Sequence, residues 1–130
     1  MGVVMIICDV DGVIVREDGT FHPLLGMLLA EVDRLGGEVV FLTARAESPE
    51  RRAQTMRELK LARCPETRLL MRPFGRAREK PSVWKAEKLQ EIVARTSLPV
   101  TVIDDDHDVL RSAVSLGCAA VHPRLGRRRS

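Results

Sequence analysis

Short apolar runs alternate along this chain with longer segments whose apolar residues recur every three or four positions. The first run, residues 3–8, contains no polar side chain and is rich in β-branched residues, which is typical of a strand buried on both faces of a parallel sheet. Further runs predict four more strands, at residues 38–42, 68–72, 99–103 and 118–121.

The segments between these runs are amphipathic and predict four helices. They span about residues 23–35, 49–62, 82–95 and 106–116. We expect the first helix to begin at Pro23 and to end at Gly36, the second to be capped by Ser48, and the third to be capped by Ser82. The first helix carries a predicted apolar stripe of Leu24, Leu25, Leu28, Leu29, Val32 and Leu35.

Regular alternation of strand and helix predicts an α/β fold with a doubly wound, Rossmann-like parallel sheet of five strands. Residues 13–21 contain an Asp-Gly turn between two short β-type runs, which indicates a small hairpin flap, and no insertion is long enough for a large cap domain. We therefore expect one domain across residues 1–123, followed by a basic, disordered tail at residues 124–130.

Composition narrows the classes of function. The chain has 130 residues, with 45% apolar and 30% charged side chains, as in soluble globular domains. Aromatic residues make up only 3%, which argues against extended base-stacking platforms. The odd count of three cysteines, the lack of a secretory signal and the lack of a membrane-length apolar stretch predict a cytoplasmic protein with no membrane association.

Polar side chains follow three of the predicted strands. Asp9 and Asp11 come after the first strand, Thr43 after the second, and Asp104 and Asp105 after the fourth. The carboxyl ends of parallel strands meet at one rim of the sheet, where open α/β folds bind ligands. Clustered carboxylates repel one another unless a cation compensates them, and their oxygens suit Mg²⁺.

Simpler interpretations exist for each part of this set. Asp-x-Asp-Gly is also an ordinary turn, and Thr43 alone is also a strand-end cap. Lys85 lies near the start of the third helix, where it would reach the rim, but Lys80 and Lys88 are close by and any of the three is also consistent with a solvated helix face. Only the combination, in order and each after a strand, is specific.

Taken together, these residues resemble the motifs of the haloacid dehalogenase-like (HAD) hydrolases, a superfamily of aspartate-dependent phosphatases. The resemblance extends over roughly residues 3–123. Its four motifs correspond to Asp9-Val10-Asp11-Gly12-Val13, to Thr43 within Phe41-Leu42-Thr43-Ala44-Arg45, to Lys85, and to Asp104-Asp105.

The resemblance implies a role for each motif. Asp9 would be the nucleophile that forms an aspartyl-phosphate, and Asp11 would protonate the leaving oxygen and then activate water. Thr43 and Lys85 would hold the phosphoryl oxygens.

The resemblance also implies a Mg²⁺ cofactor. It would be held by the Asp9 carboxylate, the Asp11 carbonyl and a carboxylate of the fourth motif. We favour Asp105 as that last ligand, with Asp104 orienting Lys85 or the metal-bound waters.

A finer similarity concerns the substrate. Four segments are similar to the 3′-phosphatase domain of polynucleotide kinase/phosphatase: residues 69–73, the basic loop at residues 73–81, residues 83–85 and residues 102–106. This sequence has no phosphate-binding loop of the kinase type. This similarity implies a phosphorylated substrate such as a nucleotide or a polynucleotide 3′-phosphate end. The candidate substrate-binding residues are Gly12, Ala44, Arg45, Arg72, Arg76 and Arg78.

Three alternatives stay open. The first is a phosphatase of small metabolites, such as sugar phosphates or nucleotides. The second is a non-catalytic phosphate-binding module on the same fold, which would not need both a nucleophile and an acid. The third is a receiver domain, which would place its phosphorylated aspartate after the third strand, where this chain has Met71-Arg72-Pro73.

Overall fold

The computed structural model describes residues 3–123, so the predicted tail at residues 124–130 lies outside the described residues. Five strands alternate with four helices, and a single 3₁₀ turn, Phe74–Arg76, lies in the loop after the third strand. The elements are β1 (Met5–Cys8), α1 (Pro23–Arg34), β2 (Glu38–Ala46), α2 (Pro49–Leu61), β3 (Arg68–Arg72), α3 (Pro81–Arg95), β4 (Val100–Ile103), α4 (His107–Ser115) and β5 (Ala119–Val121).

All five strands are parallel and form one sheet in the order β3-β2-β1-β4-β5. The first strand is therefore central, and its last residue, Cys8, is in register with Phe41 of β2 and Ile103 of β4. The residues that follow β1, β2 and β4 consequently lie side by side at the same rim, as the sequence predicts.

Helices cover both faces of the sheet, which confirms the doubly wound α/β fold. One core cluster joins the sheet to α3 and α4 through residues such as Trp84 and Val109, and a second joins it to α1 and α2 through Leu29 and Leu59. Both cores are mainly aliphatic. None of the helices within residues 3–123 is long and apolar enough to cross a membrane.

The predicted apolar stripe of α1 is wrong for half of its members. Leu29 is fully buried, and Leu25 and Val32 pack against the same core. Leu24, Leu28 and Leu35 instead remain exposed. Leu25, Leu29 and Val32 are spaced by four and three residues, so they share the narrow helix face that meets the sheet. The other three leucines lie outside that face.

Ser48 caps the start of α2, and Pro81 begins α3. Ser48 accepts a hydrogen bond from the Arg51 N–H at 3.0 Å, so the predicted cap of α2 is confirmed. The predicted cap at Ser82 is wrong, because Pro81 already occupies the first helical position and Ser82 is buried inside the first turn.

The second strand is longer than its apolar run. It continues to Ala46, and its pairing with β3 shifts register between Thr43 and Ala46. Pairing with β3 keeps residues 43–46 in an extended conformation, although their intrinsic strand propensity alone would not predict one. Ala44 and Arg45 are thus held on a strand rather than on a loop.

The predicted hairpin after β1 forms a tight turn rather than two regular strands. Val15 and Phe21 make a single antiparallel bridge, and the Arg16 N–H donates to the Thr20 carbonyl at 2.8 Å. Val13 and Ile14 are buried beneath the turn and anchor it to the core.

Candidate active site

Three carboxylates converge at the carboxyl ends of β1 and β4. One oxygen from each of Asp9, Asp104 and Asp105 lies within 4.8 Å of the others. The backbone enforces this approach, because the Asp9 N–H donates to the Ile103 carbonyl at 2.9 Å and so continues the pairing of the two strands. Three hard oxygen donors this close together are the donor set that Mg²⁺ prefers.

Among residues 3–123, Lys85 is the only lysine whose described contacts include these carboxylates. Its Nζ lies 2.9 Å from Asp9 Oδ1 and 2.7 Å from Asp104 Oδ2, and its side chain is only 5% exposed. The other two candidate lysines are engaged elsewhere, Lys80 with Asp108 and Lys88 with Glu91. The geometry therefore selects Lys85, and three carboxylates against one lysine leave the cluster net negative.

Burial and mutual repulsion change the pKa values within the cluster. Burial raises the pKa of the Asp9 carboxyl to about 8, since desolvation and the charge of Asp104 outweigh the opposing effect of Lys85. Burial and Asp104 also raise the pKa of Asp105. Burial lowers the pKa of the Lys85 ammonium, but Asp9 and Asp104 more than offset it, so the net shift is upward and the lysine stays protonated.

The stability of the metal-free protein should consequently fall as the pH rises. The pKa of Asp9 is about 8 in the folded state against an ordinary value of 3.8, so the folded state holds the extra proton between these two values. This group's contribution to the free energy of unfolding is fully present below the lower value and is lost as the pH rises towards the upper one. Between pH 5 and pH 8 we expect this loss to be about 4 kcal/mol.

Urea unfolding at pH 5 and pH 8 in the presence of EDTA measures this effect, and Asp9→Asn provides the comparison. The Asn variant should lack the part of the pH dependence that Asp9 causes and should be the more stable protein at pH 8. Equal pH dependence in both proteins would contradict the assignment.

Asp11 lies outside the carboxylate cluster and pairs with Arg45. Its two oxygens accept hydrogen bonds from Arg45 Nε at 2.9 Å and from Nη2 at 2.7 Å. Partial burial would raise the pKa of Asp11, but the hydrogen bonds and charge of Arg45 dominate and lower it. Asp9 and Asp11 therefore differ in environment although one residue separates them: the first favours a proton and the second favours ionisation.

An open crevice of about 530 Å³ lies above the carboxylates. Nine of the residues predicted from sequence line it, namely Asp9, Asp11, Gly12, Ala44, Arg45, Arg72, Lys85, Asp104 and Asp105. Glu17, from the turn after β1, also lines the crevice, so this turn does reach the rim.

Three predicted residues are not among those that line the crevice. Thr43 is fully buried, and its Oγ1 accepts a hydrogen bond from the Arg45 backbone N–H at 3.2 Å. Arg76 pairs with Glu79 and Glu87 outside the crevice, and Arg78 is exposed. Two cations of the basic loop, Arg76 and Lys80, thus pair with acidic residues, which sequence spacing does not indicate.

Sequence reasoning missed Arg51, which lines the crevice from the first turn of α2. A signal for it was present. Helices that follow parallel strands begin at the rim where those strands end, so a cation just after the cap at Ser48 is expected to face that rim. Arg51 and Arg72 thus add positive charge to the lining of the crevice that contains the carboxylates.

Gly12 holds the chain close to Asp105. Its φ is +80°, and a Cβ at this position would collide with the Asp105 carboxylate. Gly12→Ala should therefore displace Asp105 and weaken Mg²⁺ binding by about tenfold or more. Substitutions that disturb the orientation of a metal ligand usually reduce metal affinity by at least this factor.

Gly19→Ala is the matched control for this prediction. Gly19 has a φ of +83°, but apart from its neighbours in the chain no atom of residues 3–123 lies within 4 Å of where its Cβ would be. Both variants share the backbone strain of about 1 kcal/mol, and only Gly12→Ala adds the collision. Isothermal titration with Mg²⁺ separates the two, and equal affinities in both variants would contradict the argument.

No protein-family model and no curated protein matches this chain. A solved structure with similarity to it is the crystal structure of a hypothetical protein from Xanthomonas campestris, at 20% sequence identity and a TM-score of 0.53. The match covers 92% of this chain and 63% of that chain, so this chain spans less than two thirds of that protein's length. At this identity the similarity shows the fold alone.

Proposed function

We propose that this protein is a Mg²⁺-dependent phosphomonoesterase of the HAD type that acts through an aspartyl-phosphate intermediate. One observation carries the proposal: the carboxylates of Asp9, Asp104 and Asp105 converge around the buried Lys85 ammonium at the carboxyl ends of adjacent parallel strands. The motif order in the sequence supports the same assignment.

The donor set of the cluster fits a magnesium ion. Its three carboxylates are hard oxygen ligands, and their net charge with Lys85 is negative. Asp9 and Asp105 would bind the ion, and Asp104 would orient Lys85, to which it already lies 2.7 Å away. When bound, Mg²⁺ would shield the negative charge between the nucleophile and an anionic phosphate.

Asp9 is the nucleophile in this proposal. Its Oδ1 accepts a hydrogen bond from the Val10 N–H at 2.8 Å and pairs with Lys85. Asp9 would attack phosphorus as the carboxylate, because a bound Mg²⁺ would displace the proton that the metal-free site favours. The new bond is Asp9 oxygen to phosphorus, and the bond that breaks joins phosphorus to the ester oxygen. The protonated Lys85 would stabilise charge on the phosphoryl oxygens during this step.

Asp11 completes the reaction in this proposal. It would take up a proton from solvent, donate it to the departing ester oxygen, and then, as the carboxylate that Arg45 favours, accept a proton from the water that hydrolyses the aspartyl-phosphate and return it to solvent. The exposed position of the Asp11 side chain, at 57%, supports this role because both the leaving group and water can reach it.

The crevice supports a bulky, anionic substrate. The longest segment between a strand and a helix at this rim is residues 9–22, which is too short to form a cap domain over the crevice. Arg51 and Arg72 line the crevice and would attract further negative charge on the substrate. A nucleotide or a polynucleotide 3′-phosphate end meets both conditions.

The proposed activity can be tested by phosphate release in the presence of Mg²⁺. We would compare a 3′-phosphorylated oligonucleotide, a mononucleotide, a sugar phosphate and phenyl phosphate, with and without EDTA. Preference for the oligonucleotide would support a nucleic-acid end as substrate, whereas preference for a small ester would support a metabolite phosphatase. Absence of release from all four, with Mg²⁺ bound, would overturn the proposal in favour of a non-catalytic phosphate-binding module.

Arg51→Ala should separate these substrate classes. Loss of its charge should raise KM for the oligonucleotide and the mononucleotide by about tenfold, since a charged hydrogen bond contributes about 1.5–3 kcal/mol, and should change KM for phenyl phosphate by less than about threefold. Arg57→Ala, an exposed arginine later on the same helix, is the matched control. An equal rise in KM for all substrates would contradict this role.

A further inference from the structure

Four of the five N–H groups of the Arg45 guanidinium donate to neighbouring protein groups. Nε and Nη2 donate to the two oxygens of Asp11, Nη1 donates to Thr55 Oγ1 at 3.0 Å, and Nη2 also donates to Glu58 Oε2 at 2.9 Å. The Arg45 side chain is only 5% exposed. Every nitrogen of the guanidinium therefore has an acceptor within the protein.

This arrangement differs from that of a ligand for substrate phosphate. A phosphate-binding arginine offers two nitrogens to the anion in a fork, whereas the fork of Arg45 already holds the Asp11 carboxylate. Capturing a substrate with it would require breaking a two-point ion pair between neighbouring side chains. The nearby crevice cations Arg51 and Arg72 have no such carboxylate pairing among their described contacts.

The helix behind Arg45 is built to fix its orientation. Thr55 and Glu58 lie one turn apart on α2 and therefore share a face. Thr55 Oγ1 in turn donates to the Arg51 carbonyl at 2.8 Å, and Glu58 is only 17% exposed. Two carboxylates and a hydroxyl thus surround one cation, which leaves the guanidinium a single orientation.

We propose that Arg45 is a positioning residue that aims the Asp11 carboxylate into the crevice, and that Glu58 and Thr55 hold Arg45 in the required orientation. This inference rests on the proposed function, because it assigns Arg45 to the proton-transfer residue rather than to the substrate. Without Arg45, the Asp11 side chain would rotate freely, since 57% of it is exposed. Proton transfer requires the donor within hydrogen-bond reach of the reacting oxygen, so such freedom lowers the rate.

A double-mutant cycle tests the inference with phenyl phosphate as the substrate. Asp11→Asn and Arg45→Ala should each lower kcat by about 100-fold or more while KM stays within about twofold. The double variant should be no slower than Asp11→Asn alone, because Arg45 acts only through Asp11. A rise in KM for Arg45→Ala, or losses that multiply in the double variant, would make Arg45 a substrate ligand and overturn the inference.

Glu58→Gln tests the supporting part of the network without touching Asp11. It should lower kcat by about tenfold with KM unchanged, since the Arg45 guanidinium loses one of the two carboxylate charges that hold it. Glu50→Gln removes the same charge from an exposed position on the same helix and should leave kcat unchanged. Equal kcat values for the two variants would overturn the role of Glu58.

Folding and function failures can be told apart. Circular dichroism and Mg²⁺ titration show whether each variant is folded, and Arg45→Lys replaces Arg45→Ala if the latter is not, because it keeps the charge but not the two-point fork. If the wild-type protein releases no phosphate, the proposed function and the positioning role both fail. If Asp9→Asn is inactive while the Arg45 variants keep the wild-type kcat, only the positioning role fails.

Discussion

Lys85→Met should destabilise the metal-free protein by about 3–5 kcal/mol, the cost of breaking a buried ion pair by removing one partner. Methionine keeps much of the length and packing of lysine but removes its charge. Asp9 and Asp104 would then remain buried side by side without their cation, which now lies 2.9 Å from one and 2.7 Å from the other. Few single substitutions in this chain should cost as much.

Urea unfolding at pH 8 in EDTA provides the measurement, and Lys88→Met is the matched control. Lys88 lies one turn further along α3, where its only described ion pair is with the exposed Glu91, so its loss should cost less than about 1 kcal/mol. Added Mg²⁺ should restore part of the stability of Lys85→Met, because the ion would supply the missing positive charge. Equal destabilisation by both substitutions would contradict the central position of Lys85.

Asp9→Asn should lower kcat for phosphate release by about 10⁴-fold or more and leave the fold intact. An amide is a far weaker nucleophile than a carboxylate, so no aspartyl-phosphate would form. The amide oxygen can still accept the Val10 N–H, which now donates to Asp9 Oδ1 at 2.8 Å, so the backbone after β1 should keep its path.

The control for this substitution is Asp33→Asn, which changes an exposed aspartate near the end of α1. It should retain the wild-type kcat, and both variants should give the same circular dichroism spectrum. Mass spectrometry of acid-quenched wild-type protein should detect one added phosphoryl group, and Asp9→Asn should lack it. An Asp9→Asn protein with wild-type turnover would remove the mechanism proposed here.

The main features of the fold follow from the sequence because its signals are local. The run at residues 3–8 has no polar break, is short and is rich in β-branched residues, which is typical of a strand buried on both faces of a parallel sheet, so the central strand can be predicted. The end of that run also determines where Asp9 lies. Parallel strands bring their carboxyl ends to one rim, so the sequence predicts that Asp9, Asp104 and Asp105 share a rim. Their meeting also requires that β1 and β4 are neighbours, which the sheet order shows.

Local signals are weaker where neighbours decide the outcome. The apolar run of β2 ends at Leu42, but pairing with β3 extends the strand to Ala46. Helical periodicity assigns Leu24 and Leu28 to one stripe with Leu29, although the sheet covers only the face of Leu29. In both cases the deciding contacts come from elements distant in sequence.

The sequence by itself determined which carboxylates follow which strands, and that the carboxyl ends of these strands share one rim of the sheet. Only the tertiary structure decided which cations meet them. Lys80, Lys85 and Lys88 are equivalent by spacing alone, and Arg45 is equally consistent with a substrate ligand. Long side chains reach several ångströms in directions that spacing does not encode, so the packing of α3 and α2 against the sheet selects Lys85 for Asp9 and Arg45 for Asp11.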